Sequence, residues 1–299
     1  MIVYIQDHPS HAGHWIYNGY YRAWVKKGFE AKFIKSLDEI DSAEYLLMIT
    51  DSWATESNLK YIEKSKNCFL FCSSNSFPKP WGLHPNFVCS LPAKTIEKIN
   101  QFTNVVKWTF SEVKQEYYNI WQNVRTVPLA FDDLKYQSVD PNTKDFKYDI
   151  CFVGGYADNG FNEKIQIMNE TLTAFLNKKF NCAFSVGQNI SHEQENYIMK
   201  NSKIALNIHD KYQRVLKLDA NERTFKSLGI NGLLVSDENA QIDKYFPDCK
   251  TSNDPEILCE YASDYLNQDV CSIKSKNIEH IKDNHTYFCR VNQLLNYAG

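Results

Sequence analysis

Short, almost wholly apolar runs recur along this chain, with helix-type patterns between them. MIVYI opens it, and YLLMI at 45–49, CFLFC at 68–72, YDICFV at 148–153, SKIALNI at 202–208 and LLVS at 233–236 follow. A strand with one wet face alternates apolar and polar side chains. Runs this continuous belong to strands covered on both faces, as in parallel sheets whose crossover helices lie above and below. Between the first runs, Ile16, Tyr20, Ala23 and Trp24 share one helical face, and Lys26-Lys27-Gly28 supplies a helix stop. Further strands are predicted at Ala31–Ile34 and Cys182–Val186, and a helix around Thr55–Lys66. Ile165, Met168, Leu172 and Phe175 mark another amphipathic helix, and Asp254-Pro255 a helix start. The class is α/β.

A chain of 299 residues is long enough for two domains, each with its own core. DPNTKD at 140–145 has turn chemistry, which sets the expected boundary: 1–140 and 141–299, the last helix packing back on the first domain. Nine cysteines with no C-x-x-C pair predict free thiols rather than a disulfide or zinc scaffold. A formal charge of −3 excludes a strongly cationic nucleic-acid binder. A slight basic excess over the first 130 residues, with Lys26, Lys27, Lys32 and Lys35 close in sequence, leaves a local anionic partner open. No apolar run approaches the roughly 18 residues of a membrane span, and no basic segment precedes MIVYI as in a signal peptide. A cytoplasmic location, in a bacterial or phage-infected bacterial cell, is expected.

Ligands of open parallel sheets bind beyond the carboxyl ends of the strands, so residues just after the apolar runs are the candidates. Gly154-Gly155 follows YDICFV; glycines there let backbone amides approach a phosphate, although a plain tight turn reads the same way. Gly187 closes the strand at 182–186. Asn221–Leu228 is a predicted short helix with Arg223 in its first turn, where the helix dipole disfavours a cation. A bound diphosphate would offset that cost; pairing with Glu222 or Asp219 is the alternative. QDHPSHAGH, read as a loop after the first strand, offers Asp7, His8, His11 and His14. Asp7 and His14 are the favoured acid–base candidates, and metal binding or simple capping are the other readings. Asp51-Ser52 is a second possible base. QDHPSHAGH lacks the G-x-G-x-x-G of a dinucleotide site.

YDICFVGGY, SKIALNIHD, NERTFKSLGINGLLVSDE and HTYFCR, in that order over about residues 145–297, resemble the CgeB-like, spore-maturation-type glycosyltransferases. More loosely, the layout is similar to that of the phage DNA β-glucosyltransferases. The resemblance implies a GT-B fold, two Rossmann-like α/β domains facing each other across a cleft. It implies transfer of a sugar, UDP-linked by expectation, to a hydroxyl of a surface glycan or of a hydroxymethylated base in phage DNA. It further implies no cofactor and no metal, and the sequence carries no Asp-x-Asp motif that would demand one. Carried onto this chain, Gly154 and Gly155 would lie by the donor phosphates and Gly187 by the base. Arg223 would hold the diphosphate, helped by Asn221 and Thr224. Related sequences place a ribose-binding glutamate three residues after the arginine, where this chain has Lys226. Glu222 or Glu238 would then take that role, or the donor differs. An arginine usually follows the glycine turn; here Lys164 is the nearest cation. These departures also fit a non-catalytic nucleotide- or sugar-binding protein of the same fold.

Overall fold

The structure is a computed structural model describing residues 1–83, 87–156, 163–188 and 190–299, the side chain of His11 excepted. It divides into two compact units, Met1–Pro128 with Tyr287–Gly299, and Leu129–Thr286.

The first unit contains β1 (Ile2–Gln6), α1 (His11–Lys26), β2 (Glu30–Ile34), β3 (Tyr45–Thr50), α2 (Leu59–Lys64), β4 (Asn67–Phe71), α3 (Ala93–Gln101), β5 (Val105–Thr109) and β6 (Arg125–Thr126). Its strands form one parallel sheet in the order β2-β1-β3-β4-β5-β6. Every residue of β3 is buried, as the uninterrupted apolar run requires. Leu47, Ile49 and Leu70 of the sheet share one core with Ile96 and Ile99 of α3. Aromatic contacts link α1 to the strands, Trp24 on Phe69 at 5.4 Å and Tyr20 on Trp108 at 5.6 Å between ring centroids.

The second unit contains β7 (Tyr148–Gly154), α4 (Lys164–Asn177), β8 (Cys182–Val186), α5 (His192–Lys200), β9 (Ser202–Asn207), α6 (Lys211–Leu216), α7 (Glu222–Ile230), β10 (Leu234–Ser236), α8 (Ala240–Tyr245), β11 (Lys250–Thr251), α9 (Pro255–Leu266) and α10 (Cys271–Asn284). Its parallel sheet runs β11-β10-β9-β7-β8. Asp254 caps α9 through Glu256 N, with Pro255 in the first turn. The chain enters this unit before the polar stretch at 140–145. Ser138 Oγ donates to Gly229 O at 2.7 Å, Val139 N donates to Ile230 O at 2.7 Å, and Phe131 packs against Gly229. All nine cysteines are free thiols; Cys68, Cys72, Cys151 and Cys259 are buried and the others half-buried.

The last helix, α11 (Tyr287–Tyr297), belongs to the first unit. Arg290 Nε donates to Pro128 O at 2.8 Å, and the Tyr287 ring lies 5.0 Å from that of Tyr20. A Cβ on Gly19 would stand 2.3 Å from the Tyr287 ring, so α1 and α11 meet closely only because Gly19 has none. Gly19→Ala is expected to cost about 1–3 kcal/mol through overpacking, exceeding the helix-propensity gain, and urea unfolding would measure it.

Lys274 of α10 is fully buried, its Nζ donating to Asn231 O at 3.0 Å and Asn231 Oδ1 at 2.9 Å. Among the described residues no carboxylate pairs with it, and burial pushes its pKa down to about 7. The unfolded lysine titrates near 10.4, so between those values the unfolded chain binds more protons and stability rises with pH. Unfolding of wild type and Lys274→Met from pH 7 to 10 should show a steeper rise in the wild type.

Candidate functional site

In the second sheet β8 lies on one side of β7 and β9 on the other, so successive connections depart in opposite directions and the carboxyl ends of β7 and β9 form the switch point. Arg223 lies across it. Asn221 caps α7 by accepting a hydrogen bond from Thr224 N at 3.1 Å, which places Arg223 in the first turn beside the strand ends. Its Nε donates to Val153 O at 2.7 Å, its Nη1 to Ile208 O at 3.2 Å, and its guanidinium rests 4.9 Å from the Phe152 ring centroid. A Cβ on Gly154 would stand 2.1 Å from Arg223 Nη2, so the glycine is required by the arginine. Gly187 adopts φ +63° and its N–H donates to Gly154 O at 3.0 Å; Gly155 packs beside it. Neither Glu222 nor Asp219 is the hydrogen-bonding partner of Arg223: Asp219 accepts from Gln213 Nε2 at 2.7 Å.

A second cation stands beside the first. Lys164, the first residue of α4, is buried, and its Nζ lies 2.7 Å from Asp210 Oδ1, just past the end of β9. Burial, and then the charge of Arg223, push its pKa down, whereas Asp210 pulls the other way. Around Arg223, burial works against the charge, while Asp210, Glu222, Glu195 and Asp237 favour it. Beneath lies a buried polar network. Asp237 Oδ2 accepts His209 N–H at 2.9 Å, its Oδ1 lies 2.5 Å from His209 Nδ1, and Asn207 Nδ2 donates to Thr224 Oγ1 at 3.0 Å and Ser236 Oγ at 3.1 Å. Burial alone would raise the Asp237 pKa, but the His209 ring, the His209 backbone N–H and Arg214 together hold the carboxyl below its usual range.

Lys226 is engaged by carboxylates. Its Nζ lies 2.7 Å from Glu195 Oε1 and 3.4 Å from Glu222 Oε2, and Glu195 Oε2 accepts the Tyr136 hydroxyl at 2.8 Å. Glu238 is drawn elsewhere, 2.8 Å from Lys217. Thus Gly154, Gly155, Gly187, Asn221, Arg223 and Thr224 gather at the ends of β7, β8 and β9, and Glu222 with Lys226 continues the group along α7. Lys164, the cation nearest the glycine turn in the sequence, adjoins Arg223 through Asp210. His209, Asp210 and Asp237 escaped the sequence reading, yet SKIALNIHD and LLVSD each carry them directly after a strand run, where the strand-end rule points.

In the first unit, Asp7 follows β1, its N–H donating to Ile34 O at 2.8 Å, and its side chain is half-buried. His14 is exposed and helical. The expected loop therefore ends earlier than read: Ser10 Oγ accepts Gly13 N–H at 3.0 Å and starts α1 at His11. His8 stacks 5.7 Å from Tyr17, and burial pushes its pKa down. The side chain of His11 lies outside the described residues. Asp51 is buried and accepts Ser73 N–H at 2.7 Å, burial raising its pKa. Among the described residues, no group of three or more His, Cys, Asp or Glu is placed to hold a metal.

Known proteins meet this geometry at two levels. A family model described as "Glycosyl transferase-like" matches residues 160–296, which include Lys164, Asp210 and Arg223. No curated protein matches significantly. Among solved structures, an α-glucosyltransferase in complex with UDP-glucose and DNA containing an abasic site superposes with TM-score 0.60 at 11% identity, covering 100% of this chain and 99% of that one. The α,α-trehalose 6-phosphate synthase of Burkholderia multivorans gives TM-score 0.52 at 11% identity, covering 94% and 81%. AviGT4, a glycosyltransferase involved in avilamycin A biosynthesis, gives TM-score 0.52 at 9% identity, covering 99% and 97%. The fold is GT-B. Its two Rossmann-like α/β domains are the two units described above.

The ion cluster on α7 is testable apart from any ligand. Lys226→Glu would bring three carboxylates together in a mostly buried space, for a loss of about 3–5 kcal/mol. Adding Glu195→Lys should recover part of it, which a double-mutant cycle by urea unfolding would read.

Proposed function

We propose that this chain is a glycosyltransferase that moves a sugar from a nucleotide diphosphate sugar, UDP-linked, to a hydroxyl acceptor. The observation that carries the reading is the pair of cations, Lys164 and Arg223, set together at the switch point of the second sheet. A charged pair so placed favours a ligand with dense negative charge, and the "Glycosyl transferase-like" match spans both residues.

Chemically, the anomeric carbon–oxygen bond to the distal phosphate breaks as the acceptor oxygen bonds to that carbon, and the nucleoside diphosphate leaves with the bonding electrons. Lys164 and Arg223 stabilise the charge that develops on the leaving phosphate, a task that in other enzymes falls to a divalent ion. The reaction is accordingly proposed to need no metal and no cofactor. Gly154, Gly155 and the first turn of α7, with Asn221 and Thr224, would offer amides and side chains to the donor, and Gly187 would lie by its base. Glu222, the first residue of α7 and next to Arg223, is the carboxylate offered to ribose hydroxyls. The acceptor's proton passes to a base of the first unit, for which Asp7 and His14 are the candidates.

For the acceptor, a hydroxymethylated base in duplex DNA is supported by the likeness to a full-length neighbour that is itself described with UDP-glucose and DNA. A surface glycan is the other acceptor class. DNA binding that weakens steeply with salt would favour the first, and salt-insensitive or absent binding the second. Among the described residues no helix is long and apolar enough to cross a membrane; the proposed location is the cytoplasm. Lys226, standing where related sequences have glutamate, favours one further reading, a nucleotide- or sugar-binding protein without turnover.

A panel of nucleotide diphosphates and their sugars, followed by thermal unfolding, tests the reading. A ligand at a hundred times its dissociation constant stabilises by about 2.7 kcal/mol. Selective stabilisation by one nucleotide, abolished by Arg223→Ala and accompanied by release of free nucleoside diphosphate, is the expected result. Binding without release would move the binding-protein reading ahead, and a flat panel on folded protein would sink both.

A further inference from the structure

Lys164 and Arg223 share one counter-ion. Asp210 Oδ1 lies 2.7 Å from Lys164 Nζ, and Asp210 is the strongest of the carboxylates favouring the charge on Arg223. Local structure holds it in place. Asp210 is the N-cap residue of α6, and its own N–H donates to Gln213 Oε1 at 3.3 Å. Its side chain is 30% exposed against 6% for Lys164, so the carboxylate forms the wetter side of the pair. An anion that reaches the two cations therefore meets a fixed negative charge already in contact with one of them.

We propose that Asp210 is a resident counter-ion that competes with the diphosphate for Lys164 and Arg223, so that it weakens the hold on the departing nucleoside diphosphate and speeds its release. The proposal rests on the reading of this site as a nucleotide-sugar site. Its physical logic is charge balance. A buried lysine beside a half-buried arginine is costly without an anion, so in the absence of ligand the pair needs a carboxylate. When the phosphates arrive they supply that charge themselves, and Asp210 becomes a like charge pressed against them, which disfavours the complex. A simpler role predicts the opposite sign: were Asp210 only holding Lys164 in position for the ligand, its loss would weaken binding.

The test is Asp210→Asn, because asparagine caps helices as well as aspartate does and removes only the charge. Titration calorimetry with UDP and, separately, with inorganic pyrophosphate at fixed ionic strength should show both binding at least about tenfold more tightly to the variant than to wild type. UDP dissociation in stopped flow should slow correspondingly. Asp210→Ser, also a good cap but too short to reach Lys164, should shift affinity in the same direction and stands in if the asparagine variant fails to fold. In a Lys164→Met background the effect of Asp210→Asn should shrink, since the shared partner is gone. Unchanged or weaker binding by both Asp210 variants would overturn the proposal and leave the site reading intact. Failure of the wild type to bind either ligand would overturn both.

Discussion

Keeping Arg223 charged while half-buried across the strand ends of the second sheet is the constraint around which that unit is arranged. A guanidinium cannot shed its proton, so desolvation has to be balanced by partners. Two backbone carbonyls, Val153 O and Ile208 O, take its hydrogen bonds, and the Phe152 ring supports its face. Gly154 makes room for it. Asp210, Glu222, Glu195 and Asp237 supply negative charge from different elements, and that surplus in turn accommodates Lys164, Lys226, Arg214 and His209. Removing any one carboxylate or cation from so coupled a group changes the balance for the rest.

The first unit solves its own switch point differently. There β1 and β3 part, and Gln6 Oε1 accepts both Thr50 N–H at 2.8 Å and Thr50 Oγ1–H at 2.9 Å, tying the strand ends together. Asp51 is likewise held by Ser73 N–H and Ser73 Oγ–H. These are neutral or singly charged pairings, and the carboxylate among them is pushed towards its protonated form by burial. The same architecture thus carries a concentrated electrostatic site in the second unit and a largely satisfied hydrogen-bonded rim in the first, which is the contrast behind the proposal of a phosphate-bearing donor in the second unit.

Much of the fold was legible because continuous apolar runs and punctuated helices are local signals. YLLMI, CFLFC and YDICFV became β3, β4 and β7 within a residue or two, and Lys26-Lys27-Gly28 ended α1. Signals that depend on neighbours were lost. Ser10 as a cap was hidden inside a histidine-rich stretch that reads as a loop, so α1 begins before the expected point. The unit division was drawn at turn chemistry, but the hydrogen bonds of Ser138 and Val139 to the end of α7 pull the preceding segment into the second unit.

For the site, the sequence by itself determined that Gly154 and Gly187 would lie at strand ends, because strand ends are set by apolar periodicity. It also determined that a cation would sit in a first helical turn where the dipole opposes it. Only the tertiary structure decided what surrounds that cation: a second cation, Lys164 from α4, and the carboxylates Asp210 after β9 and Asp237 after β10 meet because parallel strands distant in sequence end side by side. Likewise only packing showed that Lys226 is occupied by Glu195 and Glu222. Electrostatic partnership depends on through-space distance and burial, and neither is written in the spacing of residues along a chain.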